Sequence, residues 1–335
     1  MPLPLRILSE RNVRQAVTMP EAIEAMRLAF GQLSAGEAVA PVRTAIAVER
    51  HGGTALFMPA YLKGSDGLGA KLVSVFAENV DRGLPTIAGV LVMEDAATGR
   101  PIAVIEAGYL TALRTGAASG LATALLARPE ASVLALFGAG AQARTQLQAV
   151  AAVRTLREVR VVTRDPAHAA AFIEAVGGLP GIPERLVASS PDEALHGADI
   201  IVTATTATTP VFPGEALAPG AHINSVGSHT AQARELDEAT ILRSKIVVDS
   251  RAACLQEAGD LLLPIQAGRW SAERIHAELG EIVLGRTPGR TSADEVTLFK
   301  SVGLAVQDIA VGQVVLRKAE AMGLGRLVEI GRAHV

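Results

Sequence analysis

The chain of 335 residues contains a single cysteine, Cys254. That count excludes an intramolecular disulfide and any cysteine-based zinc site. Cys254 is expected to serve as a small buried apolar residue. Aromatic residues are also scarce, with one Trp, two Tyr and seven Phe, so a stacking platform for single-stranded nucleic acid is not expected. Neither sign of charge dominates, with 31 Lys and Arg against 34 Asp and Glu and a net charge of −3. No nucleic-acid partner is therefore expected. Long hydrophobic runs are missing. Stretches such as "TIAGVLVM" fall well short of the roughly 20 apolar residues that span a bilayer. The first 17 residues show no apolar core followed by a small-residue cleavage site, so no secretory signal is expected. These features suggest a cytoplasmic protein. The seven histidines form no i, i+4 pair and no carboxylate-flanked cluster, so no metal site is expected.

What is present is enough apolar material, 49% of residues, for a large core in one or two domains. Residues 19–35 carry helical periodicity through Ile23, Met26, Leu28 and Phe30, and Gly36 follows as a stop. Short β-rich segments then alternate with Gly, Asp or Pro: "VRTAIAV", "GTALFMPAYL", "GLGAKLVSVF" and "TIAGVLVMED". "EDAATGRPIAVIEA" has the pattern of a hairpin. After a small-residue helix the rhythm changes to strand–helix alternation. "SVLALFGAG" leads to a helix over 141–154, a strand over 158–163 and a helix over 166–176. Further strands follow near "ADIIVTATT", "GAHINSVGS" and "SKIVVDS", with a helix over 235–243. That alternation predicts a parallel, doubly wound sheet. A long apolar helix closes the chain. The expected fold is α/β: a Rossmann-type doubly wound parallel sheet at 116–302, inserted into a second, α+β substrate-binding domain made of 1–115 plus roughly 303–335.

"VLALFGAGAQA" follows an apolar strand and opens a helix, the context a dinucleotide turn requires. Gly138 allows the tight turn and Gly140 the close approach of a pyrophosphate. Ala143 permits helix–strand packing, and the phosphate charge meets the helix start at Ala141 and Gln142. An acid usually ends the second strand and holds the ribose of NAD. Here Thr163-Arg164 stand there, and an arginine suits a 2′-phosphate. Asp165 lies next, but before Pro166 it reads first as a helix cap. The expected cofactor is NADPH, with NADH as the other option. The hydroxyls of Thr203 and Thr205 end an apolar strand where ligands bind in open α/β sheets.

Taken in order, "MPAY" at 58–61, "AKLVSVF" at 70–76, "TALRTGAAS" at 111–119, "FGAGAQA" at 137–143, "GAHINSVGS" at 220–228, "RELD" at 234–237, "VVDS" at 247–250, "EAGDLLLP" at 257–264, "AELGEI" at 277–282 and "TLFKSVGLAVQD" at 297–308 resemble the ornithine cyclodeaminase/μ-crystallin family over nearly the whole chain. The resemblance implies a homodimer formed through the first domain and a Rossmann domain binding NAD(P)(H). It also implies hydride transfer at the Cα–N bond of an amino or imino acid. It gives Arg43, Lys71 and Arg114 the substrate carboxylate, and Arg suits planar bidentate binding. Lys71, near the nitrogen, can protonate or polarise the imine. Thr115 is implied at the cofactor phosphates, and Val226, Ser301 and Val302 at the nicotinamide. The acids of "EAGD" and "AELGE" read first as helix caps and domain contacts.

One departure bears on chemistry. Cyclodeaminase and alanine dehydrogenase members carry an aspartate two residues beyond the Asn224-Ser225-Val226-Gly227 turn, and here that position is His229. The μ-crystallin branch also lacks the aspartate. With Arg164, this points to an NADPH-dependent reductase of cyclic ketimines, with Lys71 and His229 as the candidate proton-handling residues. Such an enzyme takes Δ1-pyrroline-2-carboxylate or Δ1-piperideine-2-carboxylate to L-proline or L-pipecolate. The other readings are an ornithine cyclodeaminase, an alanine or other amino acid dehydrogenase, a hydroxyproline dehydratase, and a non-catalytic protein that sequesters NADPH or a small ligand.

Overall fold

The computed structural model describes residues 2–332. Met1 and residues 333–335, assigned above to the first domain, lie outside the described residues. In chain order the elements are β1 (Pro2–Leu8), α1 (Glu10–Ala16), α2 (Met19–Ser34), β2 (Ala38–Val39), β3 (Thr44–Val48), β4 (Gly53–Leu62), β5 (Gly67–Phe76), β6 (Ile87–Asp95), β7 (Pro101–Glu106) and α3 (Ala107–Leu126). They continue with β8 (Val133–Phe137), α4 (Ala141–Val153), β9 (Glu158–Val162), α5 (Pro166–Val176), β10 (Leu186–Ala188), α6 (Pro191–Leu195), β11 (Ile200–Thr203), β12 (His222–Ser225), α7 (Glu238–Arg243) and β13 (Ser244–Val248). The last are α8 (Arg251–Glu257), α9 (Gly259–Gln266), β14 (Ile275–Glu278), α10 (Leu279–Val283), β15 (Val296–Lys300), α11 (Ala305–Ala321) and β16 (Arg326–Arg332). The chain divides into two compact units, one of residues up to Arg114 with those from Leu304 on, the other Thr115–Gly303. No helix among the described residues is long and apolar enough to cross a membrane.

The first unit is one eight-stranded sheet ordered β16-β1-β7-β6-β5-β4-β2, with β3 also paired to β4. Strands β3 to β7 are antiparallel neighbours, and the β6–β7 hairpin turns on Asp95, whose carboxylate accepts from Ala97 N and Thr98 Oγ1. Alternation decides which residues face inward. On β4, Met58, Ala60 and Leu62 are buried, and on β5, Gly69, Lys71 and Val73. Helix α11 packs on β4, β5 and β6 and against α2. Its Gly312 makes that approach close: a Cβ there would lie 2.6 Å from Leu91 Cδ2 and 2.9 Å from Met93 Sδ on β6. The α2 stripe differs from the expected one. Ala22, Ile23, Met26, Ala29 and Phe30 are buried, but Leu28 is 64% exposed, because five residues of helix turn it away from Ile23. Arg43 also differs from expectation, since β3 begins at Thr44 and Arg43 lies in the segment just before it.

The second unit holds an eight-stranded sheet in which every pairing is parallel, ordered β10-β9-β8-β11-β12-β15-β13-β14. Strands β8, β11, β12 and β15 are buried along their whole length, as helices on both faces of a parallel sheet require. The chain runs from β8 through β9 to β10 and then returns to place β11 on the other side of β8. That reversal creates the crevice at the carboxyl ends of β8 and β11 where ligands of doubly wound sheets bind. Phe137 and Thr203 are register partners at its mouth.

Because Gly312 sets the distance between α11 and β6, Gly312→Val is expected to cost about 1–3 kcal/mol by overpacking. The urea midpoint reads this, and an unshifted midpoint would contradict the close helix–sheet contact.

Candidate functional site

The first unit gathers charge beneath its sheet. Lys71 points inward from the middle of β5 and is 1% exposed. Its Nζ lies 2.7 Å from Asp308 Oδ2 on α11 and 3.4 Å from Thr111 Oγ1 on α3. Arg114, also buried, donates from Nε to Asp308 Oδ1 at 3.1 Å and from Nη1 to Gln307 Oε1. Burial is the largest influence on Lys71 and pushes its ammonium down to about 8; Asp308 opposes the fall, while Arg114 and Arg43 add to it. Arg43, half-buried, thus acts on Lys71 through its charge. The three cations suggested from sequence therefore share one region, and the sequence reading missed its centre, Asp308 with Gln307. The signal was a lone acid within the apolar run "GLAVQDIAVG", since an acid in such a run is buried only with a partner.

In the second unit, Gly138 follows β8 with φ +113°, and a Cβ there would strike the carbonyl of Ala204. Gly140 is the N-cap of α4, and nothing lies within 4 Å of where its Cβ would stand. No side chain caps the first turn of α4, which Ala141 and Gln142 open. The Gln142 Oε1 is buried without a hydrogen-bond partner among the described residues. A tight glycine turn, an open approach and uncapped helix amides fit a dinucleotide phosphate. At the end of β9, Thr163 Oγ1 donates to the Asp165 carbonyl at 2.7 Å, and Asp165 caps α5 by accepting from Ala167 N at 2.9 Å. Arg164 is exposed and has no ion-pair partner among the described residues. Between α4 and α5 opens a cleft of about 390 Å³ lined by Gly140, Arg144, His168 and Phe172.

Most of the other suggested residues are engaged in hydrogen bonds with the protein itself. Thr203 is buried and its hydroxyl donates to Glu235 Oε2 at 2.8 Å; the N and Oγ1 of Thr205 both donate to Glu235 Oε1 at 2.7 Å. These hydroxyls were expected to face a ligand, but Glu235 takes them up. Glu235 also accepts from Gly227 N at 2.8 Å, so one carboxylate ties the loop after β11 to the loop after β12. Val226, half-buried, continues β12 by donating its N–H to the Thr203 carbonyl. The Ser301 hydroxyl and the N–H groups of Val302 and Gly303 all donate to Asp249 Oδ2, at 2.7, 2.9 and 2.7 Å. Thr115 is buried within α3, which continues unbroken past it. His229 is exposed, with Nδ1 3.1 Å from the Gly227 carbonyl. Cys254 is buried as expected, with its thiol 3.3 Å from Asp249 Oδ1; burial first, then Asp249, push that thiol well up.

Beneath these loops lies a buried ionic knot. Lys300 ends β15 with Nζ 2.7 Å from Asp260 Oδ2, 3.2 Å from Ser225 Oγ and 2.7 Å from the Ser228 carbonyl. Asp260 Oδ1 accepts from the N–H groups of Glu235 and Leu236. Asp260 is therefore a buried ion-pair member rather than the plain helix cap the sequence suggested. Burial pushes Lys300 down, but Asp260 and Glu235 outweigh it and leave the ammonium raised. For Glu235 burial wins, and its carboxyl is raised. Helix α7 was expected from 235, but Asp237 caps it by accepting from Thr240 N. That leaves Glu235 ahead of the helix and turned into the knot.

Replacing Lys300 with Met would strand the buried carboxylate it pairs with, Asp260, and remove the cation near Glu235, at an expected cost of about 3–5 kcal/mol,. The Glu235 carboxyl, already raised by burial and then without the lysine that lowers it, takes up a proton more readily as pH falls, so the loss should be smaller near pH 5 than near pH 8,. Denaturant unfolding at both pH values checks this; equal losses would contradict it.

Comparison with known proteins identifies the family and the fold. Residues 5–323 match the model of the ornithine cyclodeaminase/mu-crystallin family. The Delta(1)-pyrroline-2-carboxylate reductase of Bacillus cereus (strain ZK / E33L) is 42% identical over 324 residues, covering 96% of this chain and 99% of that protein. The solved Δ1-pyrroline-2-carboxylate reductase of Thermococcus litoralis, in complex with NADH and L-proline, is 43% identical with a TM-score of 0.93, over 96% of this chain and 100% of that one. An archaeal alanine dehydrogenase dimer with bound NAD is 33% identical with a TM-score of 0.92, over 98% and 100%. The chain belongs to the ornithine cyclodeaminase/mu-crystallin family.

Proposed function

We propose that this protein reduces cyclic ketimines, taking Δ1-pyrroline-2-carboxylate to L-proline and the six-membered Δ1-piperideine-2-carboxylate to L-pipecolate, with NADPH. The observation that carries this reading is the charge balance around Lys71. Lys71 and Arg114 share one buried carboxylate, Asp308, which leaves that trio with one positive charge in excess, and Arg43 adds its charge to the field at Lys71. A small anion corrects such an excess, and a 2-imino acid has its carboxylate beside the carbon to be reduced. The two relatives named for this reaction cover almost the whole chain and support the same substrate class.

Arg114 and Arg43 hold the carboxylate, which fixes the imine carbon relative to Lys71. A nicotinamide held by the Thr115–Gly303 unit would supply the hydride for such a reduction. The imine nitrogen takes one proton, and Lys71 is the donor. An ammonium that titrates at about 8 gives up its proton more readily than an ordinary lysine,. His229 is the other candidate donor of that one proton. Gly138, Gly140, Ala141 and Gln142 hold the pyrophosphate. Arg164, with Arg144 and His168 of the neighbouring cleft, suits a 2′-phosphate, while Asp165 caps α5 through Oδ1.

Assembly follows from the opposite face of the first sheet. Phe57, Leu72 and Val90 stand in one cross-strand row, each between 38 and 39% exposed, and Ile46 beside them is 50% exposed. A second copy of this chain covers that apolar face, in line with the dimeric state of the related alanine dehydrogenase. Light scattering should give a dimer for the wild type and a monomer for Phe57→Glu; a monomeric wild type would overturn the assignment.

Nicotinamide oxidation followed with five- and six-membered cyclic imino acids, pyruvate plus ammonia, and ornithine tests the reaction. Cyclic imines should be reduced and NADPH preferred, with Arg164→Ala raising KM for NADPH but not for NADH. Proline and ammonia from ornithine, or a clear preference for NADH, would overturn the corresponding part. Lys71→Met should lower kcat about 10²–10⁴-fold. The sign with pH follows from Lys71. Imine reduction needs the ammonium and should fall as pH rises through about 8, while amine oxidation needs the free amine and should rise through the same range. His229→Ala with undiminished kcat/KM would remove His229 from the mechanism.

A further inference from the structure

Asp308 divides its two oxygens between two cations, with Oδ2 2.7 Å from Lys71 Nζ and Oδ1 3.1 Å from Arg114 Nε. It is fully buried, and Lys71 and Arg114 are nearly so. The next residue back, Gln307, accepts from Arg114 Nη1, and the same Oε1 accepts from Leu304 N at 3.3 Å. The first turn of α11 thus holds the guanidinium at two points and the ammonium at a third. The groups that act most strongly on Lys71 come from three elements: Asp308 from α11, Arg114 and Thr111 from α3, and Arg43 from the segment before β3. Among these, the negative one is Asp308. Without it, a buried amine would face two guanidinium groups, and desolvation and like charge would both favour the neutral amine. A neutral amine neither attracts a carboxylate by charge nor donates a proton to an imine.

We infer that Asp308 is the positioning residue of this site: it holds the Lys71 ammonium and the Arg114 guanidinium at a fixed separation and supplies the counter-charge that keeps Lys71 a cation before substrate arrives. It acts through those two side chains and takes no proton in the reaction. This assignment rests on the proposed role of Lys71, so its test includes a measurement that needs no turnover.

Asp308→Asn keeps the shape and removes the charge. Binding of pyrrole-2-carboxylate, a flat ring acid shaped like the imine, is measured by calorimetry from about pH 6 to about pH 9, the range in which a lysine lowered toward 8 titrates,. In the wild type, affinity should fall as pH passes about 8. In Asp308→Asn the fall should move down by about one pH unit or more, as loss of an adjacent opposite charge predicts. The basic limb of kcat/KM should move with it. Asp308→Glu restores the charge from a displaced position, so its pH midpoint should return toward wild type while KM stays raised. A merely structural residue would lower affinity equally at all pH values; that result, or an unmoved midpoint in Asp308→Asn, would overturn the inference. If Asp308→Asn does not fold, the Glu variant decides: a midpoint displaced as far as the loss of charge predicts would overturn it. Wild-type binding that follows this pH course without any imine reduction would refute the proposed reaction and leave the role of Asp308 standing.

Discussion

A lysine taken out of water in the middle of a sheet stays charged only if a negative charge is taken with it. In this protein the contact between Lys71 and Asp308, at 2.7 Å, meets that condition,. Much else in the first unit serves it. Alternation along β5 turns Lys71 inward, Gly312 lets α11 lie close against β6, and the start of α11 delivers Gln307 and Asp308 to the cations. Arg114 then reaches the same carboxylate from α3.

The second unit meets a similar problem with different residues. The carboxyl ends of parallel strands are where ligands bind, and the loops there have few regular hydrogen bonds to hold them. Three buried acids take up that work. Glu235 gathers amides and hydroxyls from the loops after β11 and β12, Asp249 gathers those of Ser301, Val302 and Gly303, and Asp260 carries Lys300. Each carboxylate accepts from several donors, which offsets part of the cost of burying it. Thr203, Thr205, Ser301 and Val302 are hydrogen-bonded in this way into the frame of the crevice.

Much of the architecture was legible because it rests on local chemistry. The all-apolar strand, glycine turn and helix at 133–153 and the Asp95 hairpin emerge at the expected positions. So does the Asp165–Pro166 start of α5. Misses came where a side chain's partner is distant in sequence. Leu28 fits a loose apolar spacing yet lies off the buried stripe, and Arg43 belongs to a segment that stops being strand one residue before Thr44. Glu235 resembled a helix residue because nothing nearby reveals that its partners come from β11 and from the loop after β12. The short strand β16, paired with β1 across almost the entire chain, gave no local signal of its pairing.

By itself the sequence determined the turn at Gly138 and the parallel sheet, because backbone freedom and apolar periodicity are properties of short stretches, whereas Arg43, Lys71 and Arg114 stood out only through the resemblance of their motifs to a family. Only the tertiary structure decided which acids those cations would meet. Asp308 is 194 residues from Arg114 in sequence, and Asp260 pairs with Lys300 from a different strand and helix. Such pairs form because desolvation penalises any buried charge that finds no partner, and that penalty acts only once the chain has folded around it.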